Sequence, residues 1–289
     1  MLITNKLNLP QALVDAVQGD NKVHDKKRFG VTTMLLPIRE IVLRRRHEDE
    51  IEVDVADCIN KLFGTAFHSL IEKHDKTNMS EISLEKEING LTLVGKLDLY
   101  DNVNEEIIDY KTATVWKVMF KDFDDWRKQG LLYAWLCMQN GYVVKRVKFI
   151  AFLKDWTARE QRSKGNEYPK SQIYCYEFEV SINDLMEIET WLEAKFKALK
   201  EELNKSDDNL LACTQEECWY TGDKYAVYKN ASDAKATRLF DNRVEAEGYL
   251  KEKMGGKGVV VFRQGEYRKC QDYCDVCDFC NLYKERSVK

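Results

Sequence analysis

Residues 91–112 read LTLVGKLDLY, DNVN, EEIIDYKT: two runs of strand character joined by a polar turn. In the second run Asp109 and Lys111 stand two apart, and on a strand that spacing puts both side chains on one face. Asp98, in the first run, can sit beside them on the neighbouring strand. The apolar lead-in Ile107-Ile108 marks a buried strand, where a charged pair is costly unless it has a task. On an exposed strand the same Asp-x-Lys would be an ordinary solvated pair.

Two carboxylates and a lysine gathered this way suit metal-assisted hydrolysis of a phosphodiester. Carboxylate oxygens are hard ligands for Mg²⁺ or Mn²⁺. Such a cation acidifies water and offsets charge growing on the phosphate. The lysine can orient the water or steady that charge.

Upstream, residues 51–74 (IEVDVADCINKLFGTAFHSLIEKH) carry apolar residues at intervals of three and four, which predicts one long helix. Gly64 and His68 are four apart and share a helix face. The glycine permits close approach to the sheet, and His68 can then offer a ring nitrogen to a metal. A core histidine with internal partners is the alternative. A strand over 82–88 and the pair Asn89-Gly90 predict a tight hairpin into residue 91. Downstream, residues 122–139 return to helical period, with Gln129 and Tyr133 on one face, as site residues or as helix packing. Strands over 144–153 and 173–180, separated by a polar loop, lead to a helix over 182–204. The order is α, three strands, α, two strands, α, which predicts an α/β fold with a central mixed sheet flanked by helices.

Three segments follow. Residues 1–50 form an N-terminal helical basic segment, broken near Pro37. Residues 51–204 form the core. The polar stretch NKSDDN at 204–209 opens a small α+β subdomain over 205–289, which bears most of the cysteines.

The composition, 44% hydrophobic and 33% charged with both signs mixed, fits a globular chain. No stretch approaches the roughly 20 apolar residues that span a bilayer. The N-terminus lacks the basic start and apolar run of a signal peptide. The expectation is a soluble cytoplasmic protein without a membrane partner. The net charge of −4 hides a local excess. Between Asn21 and His47 eight basic residues, Lys22 among them, face two acidic ones, a local +6. Partners feel patches rather than sums, so Arg44, Arg45 and Arg46 are candidates for DNA contact, or else members of a solvated helix. Trp116, Trp126 and Trp156 are either core residues or stacking platforms for unpaired bases.

Six of the nine cysteines lie after residue 210. Cys270, Cys274, Cys277 and Cys280 follow the spacing C-x3-C-x2-C-x2-C, with Cys213 and Cys218 ahead of them. Thiolates this dense suit Zn²⁺ or an iron–sulfur cluster; free thiols in a reducing cell are the alternative.

Taken in order, Gly64-x-x-x-His68, Gly95-x-x-Asp98, Asp109-x-Lys111 and Gln129-x-x-x-Tyr133 resemble the RecB-type motifs of the PD-(D/E)XK nuclease superfamily. The resemblance covers roughly residues 51–180. It implies a restriction-endonuclease-like core and a Mg²⁺- or Mn²⁺-dependent deoxyribonuclease, with exonuclease action favoured for the Q-x-x-x-Y branch. It implies His68, Asp98, Asp109 and the backbone carbonyl of Tyr110 as metal ligands and Lys111 as the catalytic lysine. Gln129 and Tyr133 would support the site and meet the DNA backbone. Some relatives carry a four-cysteine [4Fe–4S] cluster, which Cys270, Cys274, Cys280 and Cys213 would imitate, with Zn²⁺ the other candidate. In those relatives the fourth cysteine precedes the histidine motif. Here Cys58 holds that place only six residues before Gly64, and Cys213 is the better placed. The segments around VTTMLLPIREIVLRRR and RKCQDYCDVCDFC look like phage and prophage proteins. That implies a role in DNA recombination or end processing in a bacterial host cytoplasm, beside a strand-annealing or single-strand-binding protein. A catalytically silent DNA-binding or scaffold module with a structural metal is the competing expectation.

Overall fold

The computed structural model describes residues 1–19, 25–74 and 80–287. Lys22 of the basic stretch lies outside them. The chain divides into two compact units, Met1–Ser206 and Asp207–Lys289.

In chain order the first unit runs β1 (Leu2–Thr4), α1 (Gln11–Gln18), β2 (Arg28–Gly30), α2 (Val31–Met34), α3 (Ile38–Arg46), β3 (Glu52–Asp54), α4 (Ile59–His74), β4 (Ser80–Ile88), β5 (Leu91–Asp101), β6 (Glu106–Ala113), α5 (Val115–Met119), α6 (Asp124–Gln139), β7 (Arg146–Leu153), α7 (Ala158–Lys164), β8 (Ile173–Glu179) and α8 (Ile182–Glu202). Asn89 and Gly90 both take positive φ, 55° and 83°, as the tight hairpin turn requires. Pro37 stands between α2 and α3. Ser181 and Asp184 form a capping box at the start of α8. Helix α6 is buried almost all round, from Trp126 and from Gln129 to Cys137, as befits a helix enclosed by other elements.

The central sheet is mixed and flanked by helices, as the element order predicts. Its strands run β2-β5-β6-β7-β8, and β4 lies on the other edge of β5. β6 and β7 are parallel over their whole length; β4 pairs antiparallel with β5, and β8 antiparallel with β7. Strand β5 has an unusual edge. Its residues Thr92–Val94 pair in parallel with β2. Farther along that edge, Leu99–Asp101 pair antiparallel with β6. Among the described residues, Gly95 to Asp98 have no ladder partner on that edge. The sheet is therefore forked at the Gly-x-x-Asp segment.

Three features differ from the expectation. The helix expected from residue 51 starts only at Ile59. Glu52–Asp54 pair with Leu2–Thr4 instead, and the Asp54 carboxylate accepts from Ala56 N–H to open a short 3-10 turn. The polar stretch 154–170 contains α7, capped by Thr157, whose hydroxyl accepts from Glu160 N–H. Residues 1–50 are woven into the first unit: β2 joins the sheet, and α3 packs against α8 with Ile41, Val42 and Leu43 buried.

The second unit holds β9 (Lys224–Tyr228), β10 (Arg238–Phe240), α9 (Arg243–Met254), β11 (Val259–Arg263), α10 (Arg268–Asp272) and α11 (Asn281–Ser287). The strands form an antiparallel sheet in the order β10-β9-β11, packed against α9.

Candidate active site

The fork is where the candidate residues meet. Beyond Ile108 strand β6 leaves β5, and the N–H of Tyr110 finds a side chain in place of a backbone carbonyl: it donates to Asp98 Oδ2 at 2.9 Å. The other Asp98 oxygen is 3.1 Å from His68 Nδ1. That hydrogen bond, with the charge of Asp98 behind it, holds the imidazole above its usual pKa against the opposing effect of burial. The His68 and Tyr110 rings meet edge to face.

Asp109 and Lys111 share the face of β6 that carries Phe149 and Ala151 on the adjoining β7. Asp109 is only 4% exposed. Its Oδ2 is 2.6 Å from Lys111 Nζ, which holds this buried oxygen through a charge-assisted contact. Burial pushes the Asp109 carboxyl up to about 6, with Lys111 opposing the rise. Lys111 Nζ also lies 5.6 Å from the centre of the Phe149 ring.

Helix α6 brings Gln129 and Tyr133 to the same region. They share a side-chain hydrogen bond, and the nearby charge of Asp109 adds to burial in raising the Tyr133 hydroxyl pKa. Both are buried, so they back the site rather than line its mouth. Gly95 makes this approach possible. A Cβ there would stand 2.8 Å from Leu136 and 3.0 Å from Tyr133. Gly64 has no such role: a Cβ at Gly64 would meet Thr112 Oγ1 at 3.9 Å, an ordinary contact. The close approach expected of Gly64 thus belongs to Gly95.

The expected ligand set arrives as two pairs, His68 with Asp98 and Lys111 with Asp109. Among the described residues, no three His, Cys, Asp or Glu side chains form a ready-made metal cage. The imidazole and the ammonium occupy carboxylate oxygens that a cation would otherwise share.

The basic helix has internal work. Arg44 pairs with the buried Glu40 at 3.1 Å. The Arg45 guanidinium lies 3.8 Å from the centre of the Phe29 ring. Arg46 donates to the carbonyls of Leu203 and Lys205 at 3.2 and 2.6 Å, just past the end of α8. Less of the local +6 is therefore available to a polyanion than the count implies. Trp126 is core and Trp156 donates to the Pro169 carbonyl, whereas Trp116 is half-exposed and stacked on Phe120.

In the second unit the thiols gather on a residue that spacing did not single out. Cys218, buried, shares hydrogen bonds with the Cys213 and Cys270 thiols and accepts from Arg286 Nη1 at 3.3 Å. The thiol contacts come first, and Arg286 adds to them, in drawing Cys218 far below the usual thiol pKa. Arg286 Nη2 also donates to the Cys213 carbonyl. The Cys218 contact, then burial, raise the Cys270 thiol pKa, and Cys274 and Cys280 are close enough to add to the rise. Cys58, in the first unit, is buried in the apolar cluster of Val17 and Val55.

A family model described as the PD-(D/E)XK nuclease superfamily matches residues 42–281. No curated protein matches the chain. Among solved structures, SSO0001 is similar at 14% identity over 72% of this chain and 89% of its own, with a TM-score of 0.48. An alkaline exonuclease from Laribacter hongkongensis is similar at 15% identity over 61% of this chain and 90% of its own, TM-score 0.37. A phage-related exonuclease from Haemophilus somnus shares 13% identity over 67% and 83%, TM-score 0.28.

Proposed function

Because the chain belongs to the PD-(D/E)XK nuclease superfamily, we propose that it is a divalent-metal-dependent deoxyribonuclease using Asp98, Asp109 and Lys111. The observation that carries this reading is the buried Asp109 oxygen beside Lys111 at the sheet fork. A carboxylate buried there against an ammonium is costly to the fold, and active sites are where such groups are kept.

The donors fit a hard divalent cation. Asp98 and Asp109 would hold it through oxygens, with the His68 ring and the Tyr110 carbonyl completing the set. Mg²⁺ or Mn²⁺ there supplies positive charge against phosphate oxygens and makes water a stronger acid. The chain's own part is orientation. The Tyr110 N–H and His68 hold both Asp98 oxygens in place. Lys111, released from Asp109, steadies the charge that develops on the phosphate. Gln129 and Tyr133 close the site from behind and keep bulk water from Asp109.

Exonuclease action is the favoured mode, on the Q-x-x-x-Y resemblance. The context that fits is phage DNA recombination or end processing in a bacterial cytoplasm, beside a strand-annealing or single-strand-binding protein. The thiols Cys213, Cys270, Cys274 and Cys280, now joined by Cys218, are soft donors suited to a structural Zn²⁺ or iron–sulfur cluster rather than to Mg²⁺. One gel tests the central reading: purified protein with Mn²⁺, offered linear DNA beside a covalently closed circle. Degradation of the linear form alone is expected. Attack on the circle would make the enzyme an endonuclease, and no cleavage of either would favour the silent binding module.

A further inference from the structure

Beside the fork runs a groove that the proposed chemistry does not use. It encloses about 560 Å³, within the range of roughly 300–1,000 Å³ typical of ligand sites. Phe63 and Phe67 of α4, Thr112 of β6 and Phe152 of β7 line it, with Lys154 and Gln172 among the polar residues. The Phe67 and Phe152 rings lie with centroids 3.8 Å apart, while Phe63 is 65% exposed and has a face to offer.

Three observations identify an occupant. The first is position: Thr112 and Phe152 lie on the sheet face opposite Lys111, and α4, which lines the groove there with Phe63 and Phe67, also carries His68 to Asp98 at 3.1 Å, so the groove and the fork share that helix. The second is charge. No Asp or Glu lines the groove, and its one cation, Lys154, is held 2.7 Å from Asn60 Oδ1. An ammonium carries three donors, so this anchoring leaves it able to meet an anion. The third is shape and chemistry: aromatic faces with an amide and an ammonium at the rim match a nucleobase and its phosphate.

We propose that this groove is a base-stacking subsite that takes one unpaired nucleobase of the DNA strand passing Asp109 and Lys111, with Phe63 against the base and Lys154 against the adjoining phosphate. The proposal rests on the deoxyribonuclease reading. In a duplex each base is covered by its neighbours, so the groove selects a single strand or a frayed end.

Anisotropy with a labelled single-stranded oligonucleotide and a blunt duplex of equal length, in EDTA so that no cleavage occurs, tests it. Phe63→Ala should weaken single-strand binding by about 5- to 100-fold, the range for loss of one base–aromatic stack. It should leave the duplex within about two-fold, since a duplex offers no open base to stack. Phe63→Trp should restore the single strand. Lys154→Ala should lower the salt slope for the single strand by about one unit. One abasic position in the oligonucleotide should reproduce the Phe63→Ala loss, and the two changes together should cost no more than either. Melting curves of both Phe63 variants check folding. Unchanged single-strand binding by a folded Phe63→Ala protein, or an equal loss on duplex, overturns the subsite. Wild-type cleavage with Mn²⁺, measured in parallel, separates that outcome from failure of the nuclease reading, in which wild type neither binds nor cuts DNA.

Discussion

The backbone N–H of Tyr110 donates to the carboxylate of Asp98 at 2.9 Å, across the gap that opens once β5 and β6 part at Leu99 and Ile108. A side chain thus closes a place where the sheet has no strand-to-strand bond, and the same carboxylate holds His68.

Lys111→Ala should lower the DNA cleavage rate by roughly 10²–10⁴-fold while binding stays largely intact. Asp98→Asn and Asp109→Asn should remove metal-dependent cleavage almost completely. Single-turnover rates with binding measured separately check this, and a Lys111→Ala enzyme at wild-type speed would move the active site elsewhere.

The unfolded chain ionises Asp109 near its ordinary value of 3.8, the folded chain only near 6. The protonated carboxyl suits the fold, so the stability it lends is complete below about pH 4 and is lost as pH rises through 6. Asp109→Asn stays neutral throughout. Without metal it should therefore exceed wild type by roughly 1–3 kcal/mol at pH 8, and the gap should shrink toward pH 4. Melting temperatures across that range are the measurement; a gap that widens in acid would contradict the burial argument.

The two motif glycines should behave in opposite ways. Gly95→Ala forces a methyl against Leu136 and Tyr133 and should cost about 1–3 kcal/mol by overpacking. Gly64→Ala meets only an ordinary contact inside α4, and replacing an interior helix glycine should gain about 0.5–1 kcal/mol. Urea titrations of both variants compare the signs.

Arg46→Ala removes a cation from the carbonyls at the end of α8 and should lower stability by about 1–3 kcal/mol. Its effect on the salt dependence of DNA binding should be under one unit of slope. A full unit lost with no change in melting temperature would assign this arginine to the phosphate backbone instead.

Cys274→Ser and Cys280→Ser should lower the melting temperature and the metal content of purified protein together, because ligation and local folding are one event. Elemental analysis distinguishes zinc, in colourless protein, from iron, which would colour anaerobic preparations brown. Wild-type protein carrying neither metal, with both variants melting normally, would make these free thiols.

Much of this was readable from sequence because strand and helix periods are local. Asp109 and Lys111 share a face by a period of two, and the Asn89-Gly90 hairpin follows from backbone sterics alone. The fork was not readable. Its second arm is β2, three residues long and far too short to show a period, and it comes from a stretch whose charge drew attention away from Phe29, fully buried in that strand. Charge counting likewise missed that Arg46 serves α8. Cys218 has no motif spacing of its own; only the folded unit brings it against Cys213, Cys270 and Arg286.

The strand that completes the fork is distant along the chain. Strands β4, β5 and β6 follow one another through short turns, so they can zip together from nearby segments in the earliest stage of folding. β2 must then return across more than sixty positions to lie along Thr92–Val94, and closing so long a loop is slow. The Thr92 N–H, which donates to the Lys27 carbonyl, is therefore a clock for the final stage: its deuterium protection should arrive after that of the β4–β5 hairpin. Until it does, the Asp98 and Asp109 carboxylates stand beside an unfinished edge.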